Sequence, residues 1–441
     1  MRSGSIALTI RRAIPSLEGW ERTTWIAAVT QFVTLIGFGL GLPFLPMYVQ
    51  ELGVTDRPQV ALWSGVLSGT ASLSMAVLAP VWGALSDRYG RKPMLVRSML
   101  GGAITVGLMG FVGNVWQLEI LRLIQGSVTG SQAAAAALVA AATPAKHAGY
   151  ALGVISTAVQ VGNTFGPALG GFSVGAIGFR GSFLMAGILL LIGGLMAVFW
   201  IDEPPTRGRR IAPESPLAAL GWPGFRALLV LQLGTQFVYS AAVNLLPIYL
   251  QDMQRPDWLS AELASGLSIT LTAITAAVGM AFFGPMTDRR GPHGILLVSL
   301  IGSGLVLAIQ ALVPTIGLFL ALRAVLGIWL AGVTATLAVM TRLGSPRGRE
   351  GAAYGASSSA QGLGWGLGPI IGAGVVAVGG IPALYLLGAV LMLLLVLPLR
   401  NSVASRKPSP SAPTIHPDLP REHAPAASPS IRSTLPKPDP R

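Results

Sequence analysis

Ten stretches of this chain contain no Asp, Glu, Lys or Arg: 23–50, 58–86, 98–118, 123–145, 148–179, 181–201, 227–251, 263–287, 291–322 and 351–399. A helix needs roughly 20 mostly apolar residues to cross a bilayer, and every one of these stretches is long enough. Two are too long for a single helix. Turn signals near Pro314 and at Gly379-Gly380-Ile381-Pro382 divide 291–322 and 351–399, which brings the count to twelve spans. Lipid offers no partner to backbone N–H and C=O groups, so spans of this kind must be helical. Charged residues make up 11% of the 441 residues, against about 25% in soluble domains. The fold class expected is therefore an all-α integral membrane protein.

The first span begins near Thr24, too far in and too long for a cleaved signal peptide. Arg11-Arg12 precedes no apolar run, which argues against a twin-arginine signal. With no cysteine in the chain, disulfides, thiol catalysis and Cys-based metal sites are excluded. His147, His293, His416 and His423 have no metal spacing, and no catalytic constellation appears, so an enzyme is not expected.

The net charge of +13 has a location. With the N-terminus placed inside and twelve alternating spans, three of the 30 Lys and Arg fall in outer loops (Arg57, Arg180, Arg255) and two within spans (Arg122, Arg323); the other 25 lie in cytoplasmic segments and tails. This is a strong positive-inside bias. The high charge thus reports topology and gives no support for nucleic-acid binding. Both termini are expected to be cytoplasmic.

A shift of 201 residues makes the sequence partly repeat itself. Pro46, Tyr48 and Gln50 become Pro247, Tyr249 and Gln251; Ser64-Gly65 becomes Ser265-Gly266. Gly83, Asp87, Arg88 and Gly90 become Gly284, Asp288, Arg289 and Gly291; Arg122 and Gly126 become Arg323 and Gly327. With one residue of slippage, Gly166-Pro167 becomes Gly368-Pro369. The expected organisation is a cytoplasmic segment 1–23, a six-helix bundle 24–201, a linker 202–224, a second bundle 225–400 and a tail 401–441. Ten prolines and no aromatic residue in the tail predict disorder, and the tail is expected to be dispensable. Repeats of this type imply a binding site between them, near the bilayer midplane.

Four charges in six residues interrupt the apolar pattern after span two: Gly83-Ala-Leu-Ser-Asp87-Arg88-Tyr-Gly90-Arg91-Lys92. This stretch resembles the signature loop of the major facilitator superfamily, and "GPMTDRRG" at 284–291 resembles its weaker second copy. "LRLIQG" (121–126) resembles the family's helix-four motif, and "GNTFGPALGG" (162–171) the helix-five motif of its drug:proton antiporters. The likeness covers about residues 20–400 and implies twelve helices in two pseudo-symmetric bundles. It further implies export of drugs or other amphipathic molecules in exchange for protons, by alternating access, from the bacterial inner membrane. No cofactor beyond the proton gradient is implied, and the protein is expected to work as a monomer on a small-molecule substrate. The competing reading is a facilitator that imports a sugar, organic acid or other nutrient.

The site candidates follow from these motifs. Gly83 is read as admitting a close backbone and Gly90 as a tight turn. The gating loop comprises Gly83, Asp87, Arg88, Gly90, Arg91 and Lys92 with Asp288 and Arg289; by resemblance Asp87 would meet the N-terminus of helix eleven, near Gly351, and latch the halves. No acid lies between Glu119 and Asp202, so Arg91 lacks the helix-four partner that relatives offer, and Glu350 or Asp87 would have to substitute. Arg122, deep in span four, is a proton-coupling candidate, with Glu119 on the same face as a candidate partner; Arg323 holds the matching place without an acid three residues earlier. The absence of an acid from span one argues against a strict cation pump. Gly162, Gly166 and Gly170 form one smooth face, flanked by Pro167 and Gly171, and Gly364, Gly368 and Gly372 repeat it. Gln31, Gln125, Gln160, Asn163, Gln232, Gln236, Tyr239, Asn244, Trp329, Gln361 and Trp365 are the candidates for a cavity.

Overall fold

The computed structural model describes residues 19–202, 216–346 and 349–399, and all of its long elements are helices. Span one runs over Gly19–Gly41, passes through a 3-10 turn at Leu42–Phe44 and continues as Leu45–Glu51. It is already helical five residues before the expected start. Span two is Arg57–Tyr89, span three Arg91–Met109, and span four Val115–Val128 with Ser131–Ala142. Spans five and six form one run, Ala148–Trp200, broken at Gly178 by φ +72°. Span seven is Phe225–Asn244 with Leu246–Gln251, span eight Ala261–Arg290, span nine Pro292–Gln310 and span ten Ile316–Gly344. Spans eleven and twelve share Glu350–Leu394, broken at Gly380 by φ +74°. Both breaks lie in a conformation that only glycine adopts without strain. Eight helices among the described residues are long and apolar enough to cross a membrane. Two of those hold two spans each, and spans three and four complete the twelve.

Gly90 (φ +101°) and Gly291 (φ +80°) end spans two and eight and begin the next spans with no intervening loop. Their N–H groups still cap the helices, donating to Ser86 O and Thr287 O at 3.0 Å. These two turns define what is called here the basic end of the bundle. At the opposite, far end, Asp56, Asn114 and Ser260 cap spans two, four and eight through side-chain oxygens that accept from Gln59, Gln117 and Leu263 backbone N–H groups, as N-capping favours.

The 201-residue repeat is a repeat of structure. The Tyr48 hydroxyl donates to Met109 O at 2.8 Å, and its counterpart Tyr249 donates to Gln310 O at 2.9 Å. Gly126 admits Ala71 and Ser74 of span two; Gly327 admits Thr272 and Thr275 of span eight. Each half is thus built by the same close approaches. In lipid, small residues permit such backbone contact, and the dispersion gained there replaces the hydrophobic drive available in water. Of the linker region 202–224, Asp202 and residues 216–224 are described, and a 3-10 turn at Pro216–Gly221 leads into span seven. The tail lies outside the described residues.

Candidate functional site

Two equivalent helix pairs, five with eight and eleven with two, form the main contact between the halves. Span five carries two faces. Gly162, Gly166 and Gly170 lie against span one, where a Cβ on Gly166 would sit 3.0 Å from Leu35 O and 3.1 Å from Gly39 Cα. Pro167 and Gly171 lie against span eight, where a Cβ on Gly171 would meet Glu262 O at 2.5 Å. Span eleven repeats the arrangement: Gly364 and Gly368 meet Leu233 and Phe237 of span seven, while Pro369 and Ala373 meet Gly65 of span two. The Thr270 hydroxyl adds a bond to Thr164 O at 2.6 Å across the five–eight pair.

All these cross-half contacts lie in the far-end portions of the helices. Residues 160, 163, 167 and 171 fall on one stripe of span five, as do 361, 365, 369 and 373 on span eleven, by the three-and-four spacing of a helix. Pro167, Gly171, Pro369 and Ala373 touch the opposite half; Gln160, Asn163, Gln361 and Trp365, nearer the basic end on the same stripes, are exposed. The halves therefore diverge toward the basic end, and these four polar or aromatic side chains line the walls of the opening. The ring of Trp365 stands edge-on to Tyr239 of span seven, centroids 5.9 Å apart, and Gln236 lies half-buried one turn from Tyr239.

Other cavity candidates are used for packing. Gln31 is buried and accepts from the Ser131 hydroxyl at 3.3 Å; Gln232 donates to Thr341 at 2.9 Å. Trp329 fills the space above Gly302 and packs beside Phe283, bracing spans eight, nine and ten. Asn244 donates to Ser68 of span two and so ties the halves together rather than standing in an open wall.

Both intramembrane arginines are buried. Arg122 donates from Nε to Leu67 O of span two at 2.9 Å and from Nη1 to Gln125 Oε1 at 2.5 Å. The expected Glu119–Arg122 ion pair is not formed among the described residues. Glu119 faces Thr70 of span two, and its Oε2 is buried without a hydrogen-bond partner. The reason is directional: Arg122 turns toward the span-two carbonyl and the residue one turn ahead, away from the residue one turn behind. Arg323 is fully buried, and its Nε and Nη2 have no hydrogen-bond partner. An unpaired arginine at the centre of a helix costs about 2.5–3.5 kcal/mol on insertion scales; the bonds to Leu67 and Gln125 offset part of that for Arg122, while Nε and Nη2 of Arg323 have no such offset.

At the basic end lie the turns after spans two and eight. Gly83 was expected to admit another backbone, yet a Cβ there would meet nothing within 4 Å, and the same holds at Gly284. The Asp87 and Glu350 side chains and that of Gly351 lie outside the described residues, and the Asp87 latch with them. Asp288 and Arg289 are exposed. Lys92 donates to Val198 O at 2.8 Å, Arg88 lies over the Tyr89 ring, and Arg97 sits 3.5 Å over the Trp82 ring. Trp82 in turn donates to Ser127 O at 2.7 Å. These contacts stay within the first half and tie spans two, three, four and six together at its basic end.

Sequence reasoning passed over the far end. There Gln50 and Gln251 hydrogen-bond to each other across the halves, and Arg57 pairs with Asp252. The signal available was the repeat itself, which had already matched Gln50 with Gln251.

Two bundles of one design, closed on each other at one end and open at the other around a partly polar cleft, define an alternating-access membrane carrier. The chain belongs to the major facilitator superfamily, whose pattern matches residues 27–264 and 256–435. It is 32% identical over 377 residues to Multidrug resistance protein MdtG of Proteus mirabilis (strain HI4320), spanning 84% of this chain and 93% of that one. The protein of the same name in Salmonella typhimurium (strain LT2) is 32% identical over 394 residues, 88% of this chain and 97% of its own. Among solved structures, a bacterial homologue of the human lysosomal transporter Spinster, inward-facing and unoccupied, aligns with TM-score 0.67 at 17% identity over 88% of this chain and 96% of its own. The human organic anion transporter MFSD10 aligns with TM-score 0.62 at 20% identity over 87% and 100%. These two likenesses concern the fold.

Proposed function

We propose that the protein exports drugs and other amphipathic small molecules in exchange for protons, with its basic end in the cytoplasm. The observation that carries export is the 32% identity across nearly the whole length of relatives named multidrug resistance proteins. Orientation rests on the placement of Lys and Arg, 25 of 30 on one side. On this reading the structure is the inward-open state. Substrate enters from the cytoplasm or inner leaflet between Gln160, Asn163, Gln361 and Trp365. A cleft with few fixed polar groups suits varied apolar ligands. Arg122 and Glu119 then carry the proton coupling, the loops after spans two and eight close the inner mouth, and a single chain suffices in the bacterial inner membrane.

The test is ethidium accumulation in a bacterial host lacking its own major efflux pumps, with and without the gene. Expression is expected to lower steady-state dye severalfold, and a protonophore is expected to abolish the difference. Equal dye in both strains, with the protein present in the membrane, contradicts export.

A further inference from the structure

The motif Pro-x-Tyr-x-Gln occurs twice at the far end, at 46–50 and 247–251. Pro46 and Pro247 each stand in the first turn of a short helix that follows a break in the span. Tyr48 and Tyr249 are buried and pin those short helices to the ends of spans three and nine. The two glutamines are thereby held on fixed supports, one in each half.

Their side chains meet. Gln50 Nε2 donates to Gln251 Oε1 at 3.1 Å, and Gln251 Nε2 donates to Gln50 Oε1 at 3.2 Å. Residues related by the repeat that bond reciprocally must straddle its pseudo-two-fold axis, by the same logic that puts self-complementary contacts on the axis of a symmetric dimer. Arg57 and Asp252 form an ion pair between the halves at the same end. Beneath them, Asn244 meets Ser68, Gly65 meets Pro369, and Gly266 meets Pro167.

We propose that the Gln50–Gln251 amide pair, backed by the Arg57–Asp252 ion pair, is the far-side gate of the transport pathway and must part for substrate to leave. The inference rests on the export reading for the direction of release. An axial pair cannot stay together if two equivalent bundles separate at that end. Its chemistry suits a gate. On parting, each amide exchanges a protein partner for water, so the net cost of opening is small; the reciprocal geometry restores one register on closing. The ion pair is exposed on both sides, with side-chain exposures of 56% and 46%, and exposed pairs contribute weakly. The clasp thus fixes where the halves meet without trapping them.

The chain has no cysteine, so paired cysteines report without background. In Gln50→Cys/Gln251→Cys, each side chain is shorter than the glutamine it replaces, and 1,2-ethanediyl bismethanethiosulfonate, a short reducible linker, spans the gap. We expect cross-linking in everted vesicles to lower ethidium transport at least tenfold, and dithiothreitol to restore it. A linked protein that still transports at the unlinked rate, or a pair that does not link at all, overturns the gate. A reduced variant that never transports is resolved by the second arm: Asp252→Arg is expected to slow export severalfold, and adding Arg57→Asp to recover at least half. Equal export by the single and the double charge variants also overturns it. If the unmodified chain itself exports no dye, the export reading fails instead, and fluorescent-maleimide accessibility of Gln50→Cys still tests the gate: labelling that never changes with an imposed proton gradient overturns it.

Discussion

Arg122→Leu is expected to reduce dye export at least tenfold while the protein still reaches the membrane. The guanidinium bonds to Leu67 O in span two and to Gln125 in its own helix, so it joins span four to a helix that crosses to the other half. Leucine removes a buried cation and its solvation cost, so folding does not suffer in proportion; what is lost is the only described hydrogen-bonded arginine at membrane depth. Arg122→Lys keeps the charge but not the forked geometry, and should retain a minor fraction of transport. Glu119→Gln separates the two roles. Because the carboxylate is not paired with Arg122, its loss should leave downhill movement of dye intact while drug-driven proton movement falls. Wild-type export by Arg122→Leu, or unaltered proton movement by Glu119→Gln, removes the corresponding residue from the coupling.

The second large effect is on stability. At Gly39, where span one crosses span five, a Cβ would lie 2.5 Å from Gly166 Cα and 2.6 Å from its carbonyl carbon. No rotamer change relieves a clash with backbone. Overpacking of this kind costs about 1–3 kcal/mol in well-packed cores, and Gly39→Ala is expected at the upper end or beyond. Thermal unfolding of the detergent-solubilised protein should show a clear loss of Tm. Gly153→Ala, on the same helix as Gly166, meets nothing within 4 Å, and helix propensity favours alanine by roughly 1 kcal/mol. It should leave Tm unchanged or raise it. Equal Tm values for the two variants contradict the packing described.

Much of this was legible in the sequence, for physical reasons. Apolar runs of 21 or more residues leave only helices, and Gly-Pro pairs at Gly166-Pro167 and Gly368-Pro369 mark where helices touch. The repeat offset carried over to bonds, as Tyr48 and Tyr249 demonstrate. Side-chain direction was less accessible. Glu119 and Arg122 have the spacing of a pair, yet Arg122 spends its hydrogen bonds on Leu67 and Gln125. Trp329 has the composition of a cavity residue and serves as packing over Gly302. Conformation was not accessible at all, because one sequence encodes both the open and the closed basic end. Gly83 reads as a close-contact glycine and stands free in this state. The Gln50–Gln251 bond was missed for want of side-chain direction: the repeat paired the two positions without showing that they meet.

The central claim is that two equivalent bundles rock so that one end closes as the other opens. The direct measurement is a pair of spin-label distances in otherwise cysteine-free protein. One pair sits at the basic end (Arg88→Cys with Arg289→Cys), the other at the far end (Thr55→Cys with Asp257→Cys). Both are recorded in liposomes with and without an imposed proton gradient and drug. The account predicts opposite changes, the basic-end distance shortening as the far-end distance lengthens. Distances that stay fixed, or that change together in the same direction, contradict it.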